Sequence, residues 1–152
     1  MVALPGREQP RQLYRVPGCP RARVTMEVMD IAQWVLRIAL AAVFLFMGVN
    51  HFRPSTARAM SAMIPPALKA RVSGKALVRF TGVCEIAGAV GILVPFTRLA
   101  AGIALVLFLI AVFPANAYAA ERPEKFGRAA FPFWPRYVAQ LVLILLVLLA
   151  AV

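Results

Sequence analysis

The sequence predicts an all-α membrane protein, an up-down bundle of four membrane-spanning helices with a short surface helix in the first loop. Hydrophobic residues make up 62% of the 152 residues and charged residues only 15%, whereas an average soluble domain is roughly 45–50% apolar. The apolar residues also gather in four blocks of about 20 residues, the length that a helix needs to cross a bilayer. Too few polar residues remain to cover a soluble domain of this size. This excludes a disordered chain, a disulfide scaffold and an ordinary soluble enzyme.

Residues 1–25 precede the first apolar block and contain Pro, Arg and Gly without an apolar run. A signal peptide needs an apolar stretch of about 7–15 residues, which this segment lacks. We expect a disordered basic arm over residues 1–25 and the membrane domain over residues 26–152, with Met26 or Met29 as alternative translation starts.

The four predicted spans cover residues 31–49, 77–96, 99–120 and 134–152. Glycines inside these blocks suit membrane helices, because neighbouring helices compensate for the freed backbone groups. The third span contains Pro114, which we expect to kink the helix because proline donates no backbone hydrogen bond.

The loop between the first two spans is too long to lack structure of its own. Pro54 begins a stretch that ends at the Pro65–Pro66 pair, a pattern typical of a short helix. Met60 and Met63 give this helix an apolar side. We expect it to lie on the membrane surface or to cap the bundle.

The formal net charge of +11 comes from basic residues that cluster in the gaps between the apolar blocks. No motif of interleaved aromatic and basic residues is present, so we expect the lipid bilayer as a partner and not nucleic acid. The first and third loops carry most of these Lys and Arg residues. Because basic loops stay in the cytoplasm, both loops are predicted to be cytoplasmic.

Arg79 and Arg136 lie near the ends of their spans and are counted with the first and third loops, which leaves two ionisable residues deep within the predicted spans, Arg37 in the first and Glu85 in the second. A charge at mid-bilayer costs roughly 2.5–3.5 kcal/mol on insertion scales, so each is expected to have a partner. The first and second spans are joined by the first loop, so residues of both can be counted inward from it at 1.5 Å per residue. This count sets Glu85 level with Val43 of the first span, about 9 Å from Arg37 along the helix axis. We therefore predict a buried Arg37–Glu85 ion pair, direct or through water.

The candidate ligand-binding residues are Glu85, Arg37, His51, Asn116 and Gln140, and all except Arg37 fall in the half of the bundle next to the first and third loops. The alternative is that amides and single ion pairs only join membrane helices, at about 0.6 kcal/mol per hydrogen bond. A single histidine excludes bis-histidine haem, and too few ligands remain for zinc. We expect no metal site and assign no catalytic residue.

The first span reads RIALAAVFLFMGVNHF, the first loop contains IPPAL, the second span reads FTGVCEIAGAVGILVPFTR, and the third ends in VFPANAYAA. In this order and spacing the segments resemble the DoxX family of small four-span membrane proteins, over residues 31–152. The resemblance implies a multi-pass protein of the bacterial inner membrane, similar to the DoxD-type subunits of thiosulfate:quinone oxidoreductases. It also implies functional positions at Arg37, Glu85, Pro114 and Asn116, a quinone as ligand, and a redox protein as partner.

Three hypotheses account for these residues. The first is a binding subunit, in which a quinone headgroup or a small hydrophobic solute enters beside Glu85, His51 and Asn116 hydrogen-bond its oxygens, and Arg37 keeps Glu85 ionised. The second is a structural or assembly protein whose charges only join the helices. The third is a proton-coupled carrier that uses Glu85 and acts as a homo-oligomer. No motif for a covalently bound cofactor is present, so the isolated chain is not expected to be an enzyme, although it could form part of a membrane oxidoreductase.

Overall fold

The computed structural model describes the backbone of residues 20–122, 124 and 132–152, and the side chains of these residues from position 27 onwards. Within this part of the chain every regular element that is assigned bounds is an α-helix: α1 (Pro20–Asn50), α2 (Pro54–Met63), α3 (Pro66–Lys69), α4 (Gly74–Leu93), α5 (Arg98–Ala120) and α6 (Phe133–Ala151).

Four of these helices are long and apolar enough to cross a membrane, namely residues Glu27–Asn50 of α1 and the whole of α4, α5 and α6. The prediction of a four-helix transmembrane bundle is therefore confirmed. The helices pack in the order α1, α4, α5, α6, and α2 lies against α4 and α5 at one end. We call the end of the bundle that carries α2 and α3 the loop end, and the opposite one the far end.

The first helix begins earlier than the sequence predicted. Residues 1–19 of the predicted arm lie outside the described residues, but residues 20–25 already belong to α1. Pro20 occupies the first position of the helix, where its fixed φ is compatible with helical geometry and its missing N–H is not needed. No further Pro or Gly follows until Gly48, so nothing in the sequence interrupts the helix.

The close approach of α1 and α4 fixes their register. A Cβ atom added to Gly82 would lie 2.9 Å from the carbonyl oxygen of Gly48, and one added to Gly48 would lie 2.9 Å from the carbonyl oxygen of Gly82. Two backbones can meet this closely only where both residues lack a side chain. Gly48 also lies beside Glu85, since its added Cβ would be 3.2 Å from the Cβ of Glu85.

The apolar core occupies the half of the bundle nearer the far end. Leu40 and Phe44 of α1, Ile92 of α4, Leu105 of α5 and Val147 of α6 are all buried and form one cluster. The other half is packed less completely. It contains a cavity, and most of the predicted site residues lie around it.

Candidate functional site

A cavity of about 410 Å³ lies between α1, α4, α5 and α6 at the loop end, with α2 and α3 forming part of its wall. Its lining is mostly apolar and comes from all six described helices. The polar residues among the lining are His51, Thr81, Glu85, Asn116, Arg136 and Gln140.

The short helix of the first loop takes part in this cavity, so it caps the bundle. Met60 and Met63 of α2 line the cavity together with Met47 of α1, and Ile64 at the end of α2 is buried. Methionine side chains are flexible and adapt to irregular shapes. This part of the cavity wall can therefore fit ligands of differing outline.

His51 and Glu85 form a contact within the cavity wall. The Nδ1 atom of His51 lies 3.3 Å from Oε2 of Glu85, and both side chains are about nine-tenths buried. The same Nδ1 atom lies 2.7 Å from the carbonyl oxygen of Met47. Because a carbonyl oxygen only accepts hydrogen bonds, the Nδ1 proton is donated to Met47.

The Oε2 atom of Glu85 is the one fully buried side-chain oxygen or nitrogen, among the described residues, that lacks a hydrogen-bond partner. The Nδ1 proton of His51 is directed to the shorter contact with Met47, so it leaves Oε2 only an electrostatic neighbour. Leaving a buried acceptor unsatisfied costs about 1–3 kcal/mol and more for a charged group. Glu85 also lines the cavity, so a ligand that donates a hydrogen bond to its carboxylate would offset part of this cost.

Asn116 pairs with Arg136 of α6, which was not among the predicted ligand-binding residues. The Nη1 atom of Arg136 donates to Oδ1 of Asn116 at 3.1 Å and to its carbonyl oxygen at 3.3 Å. Asn116 therefore holds a guanidinium at the cavity wall and leaves its own amide nitrogen as a donor. This arrangement brings a positive charge to the cavity that also contains Glu85.

Gln140 lines the cavity but also joins two helices. Its Nε2 atom donates to the carbonyl oxygen of Leu109 at 2.8 Å. Leu109 lies in the turn of α5 just before Pro114, and α5 continues through this proline to Ala120. Gln140 thus cross-links α5 and α6 beside the proline, in agreement with the alternative that membrane amides join helices.

The predicted ion pair between Arg37 and Glu85 is wrong. Arg37 is buried, with 3% of its surface exposed, but it lies at the far end of the bundle. Its Nε atom donates to the carbonyl oxygen of Ala150 at 2.9 Å, and its Nη2 atom donates to Oε1 of Gln33 at 2.7 Å. The last carbonyl groups of a helix lack intrahelical partners and carry the negative end of the dipole, so a guanidinium is stabilised at the end of α6.

The error in the predicted pair came from the assumption that α1 and α4 end at the same level. The structure sets Glu85 level with Gly48, five positions nearer the loop end than the predicted Val43. Eleven residues separate Gly48 from Arg37, which is about 16 Å at 1.5 Å per residue. No extended pair of side chains bridges that distance directly.

Two polar residues of the cavity were missed, although helical spacing could have identified both. Arg136 lies four residues before Gln140 and Thr81 four residues before Glu85, so each shares a helix face with a residue that was selected. Thr81 satisfies its own hydroxyl, which donates to the carbonyl oxygen of Val78 at 2.8 Å. Arg136 is the more informative omission, since it adds the cation.

The fold and the cavity together define a four-span helical membrane protein with a partly open, mainly apolar cavity that carries several polar groups. A family model described as Domain of unknown function (DUF8561) matches residues 40–151, and the chain belongs to this family. The matched region contains His51, Glu85, Asn116 and Gln140, whereas Arg37 lies outside it. No curated protein and no solved structure is significantly similar to the chain.

Proposed function

We propose that this protein binds a small amphipathic molecule within the membrane and acts as the binding subunit of a redox system, with a quinone as the candidate ligand. The observation that carries the proposal is the cavity itself, whose apolar lining is interrupted by His51, Glu85, Asn116 and Arg136. Ligand sites typically combine mostly apolar walls with a few placed polar groups. The volume of about 410 Å³ falls in the range of roughly 300–1,000 Å³ that such sites occupy.

The redox part of the proposal rests on the resemblance to DoxX proteins and their DoxD-type relatives. The sequence contains no motif for a covalently bound redox cofactor, so the chain supplies the binding site and orients the headgroup. Electrons would then reach the bound molecule from a partner protein. On this proposal the protein resides in the bacterial inner membrane, and the isolated chain has no oxidoreductase activity of its own.

A cavity-filling substitution tests whether the cavity binds the ligand. Ala115 of α5 lines the cavity, whereas Ala100 of the same helix is exposed on the outer surface. We expect decylubiquinol, the hydroquinone form of decylubiquinone, to raise the thermal unfolding temperature of the purified wild-type protein and of Ala100→Phe, but not that of Ala115→Phe. Equal shifts in all three proteins would show that the compound acts through the detergent or the outer surface, and no shift in any of them would contradict the proposal.

The proposed orientation places the first and third loops in the cytoplasm, in accordance with their positive charge. Labelling with a membrane-impermeant maleimide in intact cells tests it, after Cys19 and Cys84 have been replaced by serine. A cysteine at Thr97, in the α4–α5 turn, should be labelled, whereas one at Ser73, in the first loop, should be protected until the cells are opened. The reverse pattern would invert the topology.

A further inference from the structure

We infer that the molecule bound in the cavity presents a neutral hydroxyl group to the carboxylate of Glu85, so that its polar end donates a hydrogen bond. This inference rests on the proposed function and specifies the class of ligand. The expected ligands are apolar molecules that end in an alcohol or a phenol group. The hydroquinone form of a quinone belongs to this class.

The need for a donor follows from the contacts of His51. Its Nδ1 atom carries a single proton, both in the imidazolium form and in the neutral tautomer protonated at Nδ1. That proton is donated to the carbonyl oxygen of Met47, 2.7 Å away. No second proton is present on Nδ1 to form a hydrogen bond with Oε2 of Glu85, 3.3 Å away. Oε2 of Glu85 is accordingly buried without a partner, in either protonation state of the histidine.

The electrostatics of the cavity favour a neutral polar group. Glu85 and Arg136 both line it, and Asn116 holds the guanidinium in place. An ammonium group on the ligand would be attracted by Glu85 but repelled by Arg136. A carboxylate group would be attracted by Arg136 but repelled by Glu85. A hydroxyl carries no charge, so it avoids both repulsions and can still donate a hydrogen bond to Glu85.

A ligand that only accepts hydrogen bonds would leave the ionised carboxylate of Glu85 without a donor. Quinones and ethers belong to that class, since their oxygens carry no proton. The pocket therefore discriminates between a phenol and its methyl ether in the same way as a site built for a hydroxyl rejects an analogue without it.

The decisive experiment compares 4-heptylphenol with its methyl ether, 4-heptylanisole. Both have the same alkyl chain and an oxygen attached to the aromatic ring, but only the phenol has a hydroxyl group that can donate a hydrogen bond. The dissociation constant of each is measured by equilibrium dialysis against the full chain in nanodiscs, with empty nanodiscs to subtract lipid partition. Because hydrogen bonds to charged groups are the strong ones, we expect the phenol to bind at least about tenfold more tightly.

The variant Glu85→Met should abolish this preference, and Glu121→Met should retain it because Glu121 lies at the exposed end of α5, paired with Arg122. Equal affinity for the two probes in the wild-type protein, or a preference for the ether, would overturn the inference while leaving the cavity as a ligand site. If neither probe binds, the proposed function fails and the inference fails with it. The wild-type comparison decides the matter even if Glu85→Met does not fold.

Discussion

Arg37 and Glu85 should contribute to stability independently. The perturbation is a double-mutant cycle with Arg37→Met, Glu85→Gln and the double variant. Arg37→Met alone removes the donor to Ala150 and should lower the free energy of unfolding by about 1.5–3 kcal/mol, the range for hydrogen bonds to charged groups. The double variant should lose close to the sum of the two single losses.

The expected coupling follows from the depth of the two residues. With Arg37 and Glu85 about 16 Å apart along the axis, at 1.5 Å per residue, Coulomb's law gives about 1 kcal/mol at an effective dielectric constant of about 20. A pair in contact at 4 Å would give about 4 kcal/mol under the same assumption. We therefore expect a coupling energy of about 1 kcal/mol, well below that of a pair in contact.

The assay is equilibrium unfolding of the purified proteins in mixed micelles with increasing SDS, followed by far-ultraviolet circular dichroism. A second cycle that pairs Arg98→Met with Glu85→Gln serves as the matched control. Arg98 also lies at the far end, where its Nη2 atom donates to the carbonyl oxygen of Val152 at 3.2 Å. The two cycles should give similar small coupling energies.

A coupling energy of 3 kcal/mol or more between Arg37 and Glu85, absent from the Arg98 cycle, would refute this reasoning. The same holds if the double variant regains the stability that each single variant loses. Either result would require the two side chains to be in contact, because breaking a buried ion pair costs about 3–5 kcal/mol.

Two further substitutions test the helix contacts that shape the cavity. Gly82→Ala should lower the free energy of unfolding by about 1–3 kcal/mol, as overpacking does, because the new methyl group meets a backbone carbonyl of α1. Gly74→Ala should cost less, since its methyl group meets the side-chain oxygen of Ser61, which can rotate away; equal costs in the same SDS titration would argue against the close approach. Gln140→Leu should cost about 0.6 kcal/mol, and at most about 1.7, the range for hydrogen bonds between membrane helices. An unchanged unfolding midpoint would mean that the bond to Leu109 contributes nothing.

The spans could be predicted because lipid imposes a simple pattern. A helix that faces acyl chains must be apolar along its whole length, so the apolar blocks end within a few residues of α4, α5 and α6. The start of α1 could not be predicted from hydropathy. Residues 20–30 include charged side chains, so hydropathy does not mark them as part of a span, yet they continue the same helix.

The polar half of the bundle was predicted in part. Counting residues from the loop ends of their helices placed Glu85, Asn116 and Gln140 in the half of the bundle where they lie, although the level of Glu85 against α1 was wrong. Arg37 could not be placed by counting, because α1 stops level with Gly82 while α4 continues for two more turns. That offset depends on how α2 packs against α4, which no local pattern encodes.

The position of the cavity is explained by the contacts that α1 makes at its two ends, with α4 at one end and with α6 at the other. At its loop end α1 is drawn against α4 by the contact between Gly48 and Gly82, and at the far end Arg37 ties it to the last turn of α6. Between the loop end of α1 and α6 no comparable contact is recorded among the described residues, and there the cavity separates them. A larger side chain at Gly82 would force α1 and α4 apart and so alter the wall of the cavity. The stability of the helix pair and the capacity to bind a ligand therefore depend on the same glycine.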